Sequence, residues 1–190
     1  MVFVEKTKVK ALREAKNLLQ SYGFNAFSFQ HVADSVGIKK PGLYDHFASK
    51  ELLGVALIED YLAGFQNWTE IVEVFQPYDR LGAYFELLIK FLQDRRKLCP
   101  MPVLISDLHS LPESMQRSLR SLFQFQAGWI EHTIFEGQQK GVFRTNQSAV
   151  NLTPIVISMS IGGQMTARIT NNALILRSIK EAALAFIAIK

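Results

Sequence analysis

Cys99 is the only thiol in a chain of 190 residues, and it follows Arg95, Arg96 and Lys97, whose charges favour a thiolate. Beside His109 it supplies the nucleophile and base of an acyl-transfer enzyme; alone it is a candidate redox sensor or electrophile trap. No motif supports either reading. The chain has no nucleophile signature, no glycine loop to cradle a phosphate and no spaced set of metal ligands. A lone cysteine is more often a buried apolar side chain. It also excludes an internal disulfide framework and a thiolate-cluster metal site, so neither a cofactor nor a metal is expected.

The charge distribution carries more. Residues 1–50 hold eight basic side chains (Lys6, Lys8, Lys10, Arg13, Lys16, Lys39, Lys40 and Lys50) against four acidic ones (Glu5, Glu14, Asp34 and Asp45), and the rest of the chain is balanced. The whole formal charge of +4 therefore lies in the first quarter. A polyanion suits such an excess, although a solvated surface can carry it too. The opening residues MVFVEKTKVK lack the apolar stretch of a signal peptide. The best membrane-span candidate, Leu152–Met165, is broken by Pro154, Ser158, Ser160 and the Gly162-Gly163 pair, and it falls short of the roughly 20 apolar residues a span requires. A soluble, cytoplasmic protein with no membrane partner is expected.

What must position these side chains is helix. Apolar residues recur at spacings of three and four nearly throughout, without alternating β-branched runs, so an all-α fold is predicted. Thr7 caps a first helix to about Tyr22, with Val9, Leu12, Ala15, Leu18 and Leu19 inward, and Gly23 ends it. Ser28 caps a short second helix with Phe29, Val32, Ala33 and Val36 inward, stopped at Gly37. Pro41 starts a third carrying Leu43, Tyr44 and Phe47. A fourth runs from Ser49 to about Phe75, and Asp79 caps another from Arg80 to about Lys97. The link Cys99-Pro100-Met101-Pro102 leads to a short helix near Val103–His109. A long helix from Leu111-Pro112-Glu113 to Lys140 ends at Gly141, and two last helices span about Ser148–Thr170 and Leu174–Ile189.

Residues 28–47 fit two short helices joined by a tight turn at Val36-Gly37-Ile38. Gly37 stands where a positive φ is needed, and Val32, Ala33, Ile38, Leu43 and Phe47 form the small shared core. The second helix of such a pair can lie in the major groove of DNA. The segment FSFQHVADSVGIKKPGLYDHFASKELL, residues 27–53, resembles the DNA-binding segment of the tetracycline-repressor (TetR) family. Shared features are the Ser cap, the Val-Ala pair, the Gly turn, the Leu-Tyr…Phe end and the Ser-Lys-Glu-Leu restart. Likeness at this level covers roughly residues 7–55, and the remainder agrees in helix pattern and length. It implies an N-terminal three-helix helix-turn-helix DNA-binding domain over 1–48, followed by a helical effector-binding and dimerisation domain over 49–190.

From the resemblance and the side-chain chemistry together, Ser28, Gln30, Lys39, Lys40, Gly42, Tyr44, His46 and Lys50 are the DNA-binding candidates. Ser28 offers its hydroxyl or backbone N–H to a phosphate, or serves as a plain cap; both can hold. Lys39 and Lys40 reach phosphate or guanine edges. Gly42 lets the helix approach closely, or is only a weak helix residue. Tyr44 and His46 are similar to the family's phosphate-contacting rings, and Lys50 to the lysine that grips backbone at the start of the fourth helix. Asp45 and Lys39 depart from the usual pattern: a carboxylate faces phosphate unless a cytosine amino group donates to it, and Lys39 replaces a small hydroxyl cap.

Residues 61–135 are crowded with rings, most of them packing residues. The resemblance implies a ligand cavity among the fourth to eighth helices, with Phe65, Trp68, Phe85, Phe91, Met101, Phe125, Gln126 and Trp129 as lining candidates, and Gln126, His132 and Gln164 as orienting polar groups. An apolar or aromatic small-molecule effector follows. A single short reading helix buries little surface, so a homodimer spanning two half-sites is expected. Ile157, Ile161, Met165, Ile179, Ala183 and Phe186 are candidates for its interface, against the alternative of a thick monomeric core. The implied function is a repressor released from a palindromic double-stranded operator by the effector. The alternative is a helical ligand- or protein-binding module without sequence-specific DNA binding.

Overall fold

Local rules decide where each helix begins in the computed structural model, which describes residues 6–93 and 97–189. Helix α1 is Thr7–Tyr22, capped by the extended backbone of Lys6 without a side-chain bond, so Thr7 is its first helical residue and not its cap. Its inward stripe is Ala11, Ala15, Leu19 and Gln20, with Val9 53% exposed. That displaces the predicted face, because two alanines let α1 lie close against α2. Helices α2 (Phe29–Val36) and α3 (Lys40–Tyr44) follow, then α4 (Lys50–Val72). Helix α5 (Pro77–Gln93) opens at Pro77 and not after Asp79. Proline loses no hydrogen bond in a first turn and its φ is preset, which leaves the Asp79 carboxylate to favour the helix dipole from within that turn. The predicted stretch Asp94–Arg96 lies outside the described residues.

For the same reason α6 spans Pro100–Ser106, taking in both prolines of the predicted link. A 3-10 turn over Leu108–Ser110 leads to α7 (Glu113–Gln139), ended at Gly141 with φ +67°. Ser148 caps α8 (Ala149–Ile169) by accepting from Asn151 N–H, and α9 is Leu174–Ile187. Among the described residues there is no strand, only an isolated bridge between Phe143 and Ala188. No described helix is long and apolar enough to cross a membrane.

By their contacts the described residues form two units. One takes residues up to Ala63 together with Cys99–Leu122. Its interior holds Leu19, Phe24, Phe27, Leu53, Leu57, Leu104, Met115 and Leu119. More chain groups with the first three helices than residues 1–48, because Gly54 of α4 packs against Met115 and Phe24 so closely that a Cβ would overlap both, and the Tyr61 hydroxyl lies 2.7 Å from Cys99 Sγ. The other unit is Gly64–Leu98 with Phe123 onward. There α5 packs on α8 and α9, burying Leu81, Phe85, Leu88, Leu152, Val156, Leu176 and Ile187. Gly163 allows the close approach of α8 to α9, since a Cβ would sit 2.8 Å from Leu176 and 3.0 Å from Ile179.

Candidate nucleic-acid interface

The helix-turn-helix is built around an α2 tied at both ends. Ser28 Oγ accepts from His31 N–H and His31 Nδ1 accepts from Ser28 N–H, both at 3.2 Å, so two N–H groups that a helix start leaves without partners are satisfied reciprocally. At the other end Gly37 adopts φ 81°, ψ 32°, and its N–H donates to Ala33 and Asp34 carbonyls. Lys10 Nζ donates to the Val36 carbonyl at 2.8 Å, fastening α1 to that C-terminus, where a cation also suits the helix dipole. Val32, Ala33 and Leu43 are wholly buried and Phe47 nearly so. They anchor α3, which at five residues is too short to hold itself.

Around that core the predicted DNA-binding residues divide. Lys39, Lys40 and Tyr44 are exposed, and Gly42 and His46 half-buried. The Tyr44 ring leans on Phe29 at 5.0 Å between centroids while staying 49% exposed. A Cβ at Gly42 would meet only Ile38 Cδ1, at 3.9 Å, so nothing inside the chain requires glycine there. Gln30 is exposed but donates to Asp34 Oδ1 at 2.6 Å. Ser28 has committed its backbone N–H to His31, which leaves the hydroxyl proton as its remaining donor.

Lys50 departs from expectation. Its Nζ donates to the Phe24 carbonyl at 2.7 Å and sits over the Phe24 and Phe27 rings at 4.4 and 4.8 Å. Burial lowers its pKa, against the attraction of Asp107. Its ammonium therefore pins the start of α4 to the α1–α2 link in place of projecting outward. Lys39 caps nothing, as its substitution for a hydroxyl residue predicts.

Against known proteins, the family model described as bacterial regulatory proteins, tetR family, matches residues 11–57, which span most of α1, all of α2 and α3 and the start of α4. The fold is similar to that of a TetR-family transcriptional regulator from Agrobacterium tumefaciens, 23% identical, with a TM-score of 0.92 over 96% of this chain and 98% of that one. It is also similar to a TetR transcriptional regulator from Legionella pneumophila, 26% identical, TM-score 0.89, covering 98% and 100%. Residues 11–57 thus carry the DNA-binding segment of the TetR family, and the fold along the rest of the chain is similar to that of TetR-family regulators. A curated relative, the HTH-type transcriptional repressor DhaR of Mycobacterium sp. (strain GP1), is 23% identical over 154 residues, which are 79% of this chain and 76% of that protein. By these likenesses the chain is a TetR-type transcriptional regulator with a helix-turn-helix DNA-binding domain, and not an enzyme. Cys99 is accordingly not a nucleophile: it is 1% exposed, and burial pushes its thiol up to about 11 despite the Tyr61 hydrogen bond and the Met101 backbone.

Of the predicted cavity residues in this TetR-type chain, Phe65, Trp68, Phe125, Gln126 and Trp129 come together in the second unit. Phe65 stacks on Trp68 at 5.4 Å and meets Phe125 and Trp129 edge-on, and Trp68 meets Trp129 at 5.3 Å. Tyr84 joins them, edge-on to Phe65 at 6.4 Å and tilted to Trp129 at 6.2 Å; it is absent from the predicted lining, which takes its neighbour Phe85, although Tyr84 shares the three-and-four stripe of Leu81 and Leu88. Phe85 touches the cluster through Tyr84, at 5.6 Å. Phe91 lies half-buried further along α5. Met101 is buried on α6 in the first unit and does not belong to the ring cluster's unit. Gln164 is buried, but His132 is exposed and its neighbour Thr133 faces inward. His132 instead stands near Glu73 and Glu136. The carboxylates there are taken up by ion pairs: Glu136 with Lys140 and Arg80, Glu73 with Arg80.

Of the interface candidates, Ile157 and Ala183 are buried within the chain, at 7% and 1% exposed, and cannot present to a partner. Apolar residues fall on more than one face of both helices, Met165, Ile169 and Leu174 being exposed, so apolar character alone does not choose the inward side. Ile161, Ile179 and Phe186 are half-buried, Ile179 beside Gly163 and Phe186 under the Arg144 guanidinium at 4.6 Å. Met165 is exposed, and with Thr166, Arg168 and Ile169 it lines an open groove of about 620 Å³. Gly162, Ser158 and Ala182 also face outward.

Proposed function

We propose that this TetR-family regulator is a homodimeric repressor that holds a palindromic operator through α2 and α3 and releases it when a small apolar or aromatic effector binds the ring cluster. The observation that carries the reading is the outer face of α3. Lys39, Lys40 and Tyr44 are exposed beside a glycine that the chain itself does not need. Two ammonium groups and a phenol on a basic segment suit phosphate, and the absence of a Cβ at 42 suits close approach to base edges. Gln30, His46 and the Ser28 hydroxyl complete the proposed contact set, while Lys50 acts from beneath by positioning α4.

The functional boundary near residue 48 separates reading from sensing. Helix α4 carries both Lys50 and the ring pair Phe65 and Trp68, so it is the proposed lever: an effector that binds the DNA-incompetent arrangement better shifts the population by its differential affinity. Dimerisation is assigned to the exposed side of α8 and α9, through Met165, Gly162 and Ala182, with Ile161 at its edge.

Selection of duplexes from a random pool by the purified protein, followed by affinity for the winner against salt, tests the reading. A near-palindromic winner, half-sites about 34–36 Å apart and a steep fall of affinity with salt are expected. No enrichment, with weak salt-insensitive binding, would replace the operator reading by a helical binding module.

A further inference from the structure

The ring cluster holds two buried polar atoms of opposite sense. Gln126 Oε1, an acceptor, and Trp129 Nε1, a donor, are sealed from solvent and have no hydrogen-bond partner among the described residues. They stand three residues apart on α7, hence on one face of it. The Gln126 amide is oriented by a directed series of bonds. Ser160 Oγ donates to the Ile157 carbonyl at 2.8 Å, Tyr84 and Ser160 share a hydroxyl bond at 3.1 Å, and Gln126 Nε2 donates to Tyr84 Oη. With the amide nitrogen committed, its oxygen is what remains on offer. A buried donor or acceptor left unpaired costs about 1–3 kcal/mol, so two in one cluster are a feature that a ligand can repay.

We propose that the cluster binds an uncharged hydroxylated aromatic, whose hydroxyl oxygen accepts from Trp129 Nε1 while its proton is donated to Gln126 Oε1. This rests on the effector reading above and narrows the effector's chemical class. Flatness is set by the walls. Phe65, Trp68, Phe125 and Trp129 present ring faces and edges with centroids 5.3 to 6.0 Å apart, and a further flat ring packs on such faces and edges in the same stacked or edge-on geometries. Neutrality is set by the polar side chains buried in that unit: Thr69, Gln126, Thr133, Thr153, Ser160 and Gln164 are all uncharged, and the buried Arg80 is already paired with Glu73 and Glu136. A carboxylate would meet no free buried counter-charge among the described residues and would keep its full desolvation cost. Trp68, Phe125 and Trp129 are half-buried, so the ligand reaches them from the surface.

The chain's two tryptophans, Trp68 and Trp129, both lie in the cluster, so tryptophan emission excited at the red edge reports the site without DNA present. Titrations with phenol, toluene and benzoate separate the chemistry. Phenol is expected to bind at least about tenfold tighter than toluene, with benzoate weaker than both. In Trp129→Phe, which keeps a ring at 129 and leaves Trp68 to report, the preference for phenol over toluene should fall severalfold. Equal binding of phenol and toluene, tighter benzoate, no binding by phenol, or an unchanged preference in Trp129→Phe overturns the proposal. Release of the selected operator is then scored separately. Phenol that binds with the expected preference yet leaves the operator held refutes the effector reading and spares the ligand class. Release by toluene as readily as by phenol refutes the class and spares the effector reading.

Discussion

The outer face of α2 and α3 and the ring cluster of the second unit are both built from side chains with hydrogen-bonding ends, and they treat those ends in opposite ways. On the α2–α3 face Lys39, Lys40 and Tyr44 keep their polar groups outside, resting on a core supplied by Val32, Ala33, Leu43 and Phe47. In the cluster Tyr84, Gln126 and Ser160 are sealed and bond one another in series, leaving Gln126 Oε1 buried without a partner. Where support and contact belong to different residues, function can be removed without loss of fold. Where one side chain does both, a substitution perturbs both.

Adjacent residues of α3 separate support from contact most clearly. Leu43 is wholly buried and Tyr44 is half out. Leu43→Ala should cost about 2–5 kcal/mol of stability, seen as a lower denaturation midpoint, with operator binding lost alongside. Tyr44→Ala gives up its ring contact with Phe29, about 1 kcal/mol, but should weaken operator affinity roughly tenfold through the lost phosphate contact. If Tyr44→Ala binds the selected operator as tightly as the parent, the outward residues of α3 are not the readers.

How much of this could be read from the residues depends on how local the cause is. The Ser28 cap and the Gly37 turn are set by neighbours within four positions, and the periodic apolar pattern shows the Leu43 and Phe47 anchors as well. Caps that compete with a nearby proline are less legible. Asp79 and Val103 look like helix starts until the first-turn tolerance of Pro77 and Pro100 moves α5 and α6 upstream. Least legible is direction on helices apolar on several faces. Ile157 and Ala183 point into the chain while Gly162 and Ala182 point out, a difference made by the packing of α5 and by Gly163 against Leu176. Lys50 carries the family's sequence position, yet its ammonium turns inward because the Phe24 carbonyl and two rings lie within its reach.

The first unit's interior holds the next largest effect. Cys99 is buried with its thiol held up to about 11 by desolvation, whereas an unfolded cysteine ionises near 8.5. The folded state therefore retains the proton longer. Stability from this group is fully present below about pH 8.5 and is lost as the pH climbs toward 11, since the unfolded state releases its proton first. Denaturant unfolding at successive pH values should show a decline on the order of 2 kcal/mol across that window, reduced in Cys99→Ala. Alkylation by iodoacetamide at pH 8 should be slow in the folded protein and leave operator release unaltered. Rapid alkylation that frees the operator would restore the sensor role and show that the interior is open.

The smallest effect is the most diagnostic, because its two halves have opposite signs. At Gly42 a Cβ meets only Ile38 Cδ1, at 3.9 Å, and alanine is the better helix former by up to about 1 kcal/mol. Gly42→Ala should leave the denaturation midpoint unchanged or slightly raised. On the operator the same methyl stands between α3 and the base edges, so affinity should fall severalfold with little change in salt slope, since no phosphate contact is lost. A residue kept for the fold would show the reverse, losing stability and holding DNA. If both stability and affinity are unaffected, Gly42 faces away from the groove, and the approach of α3 to DNA has to be rotated toward Lys40 and Tyr44.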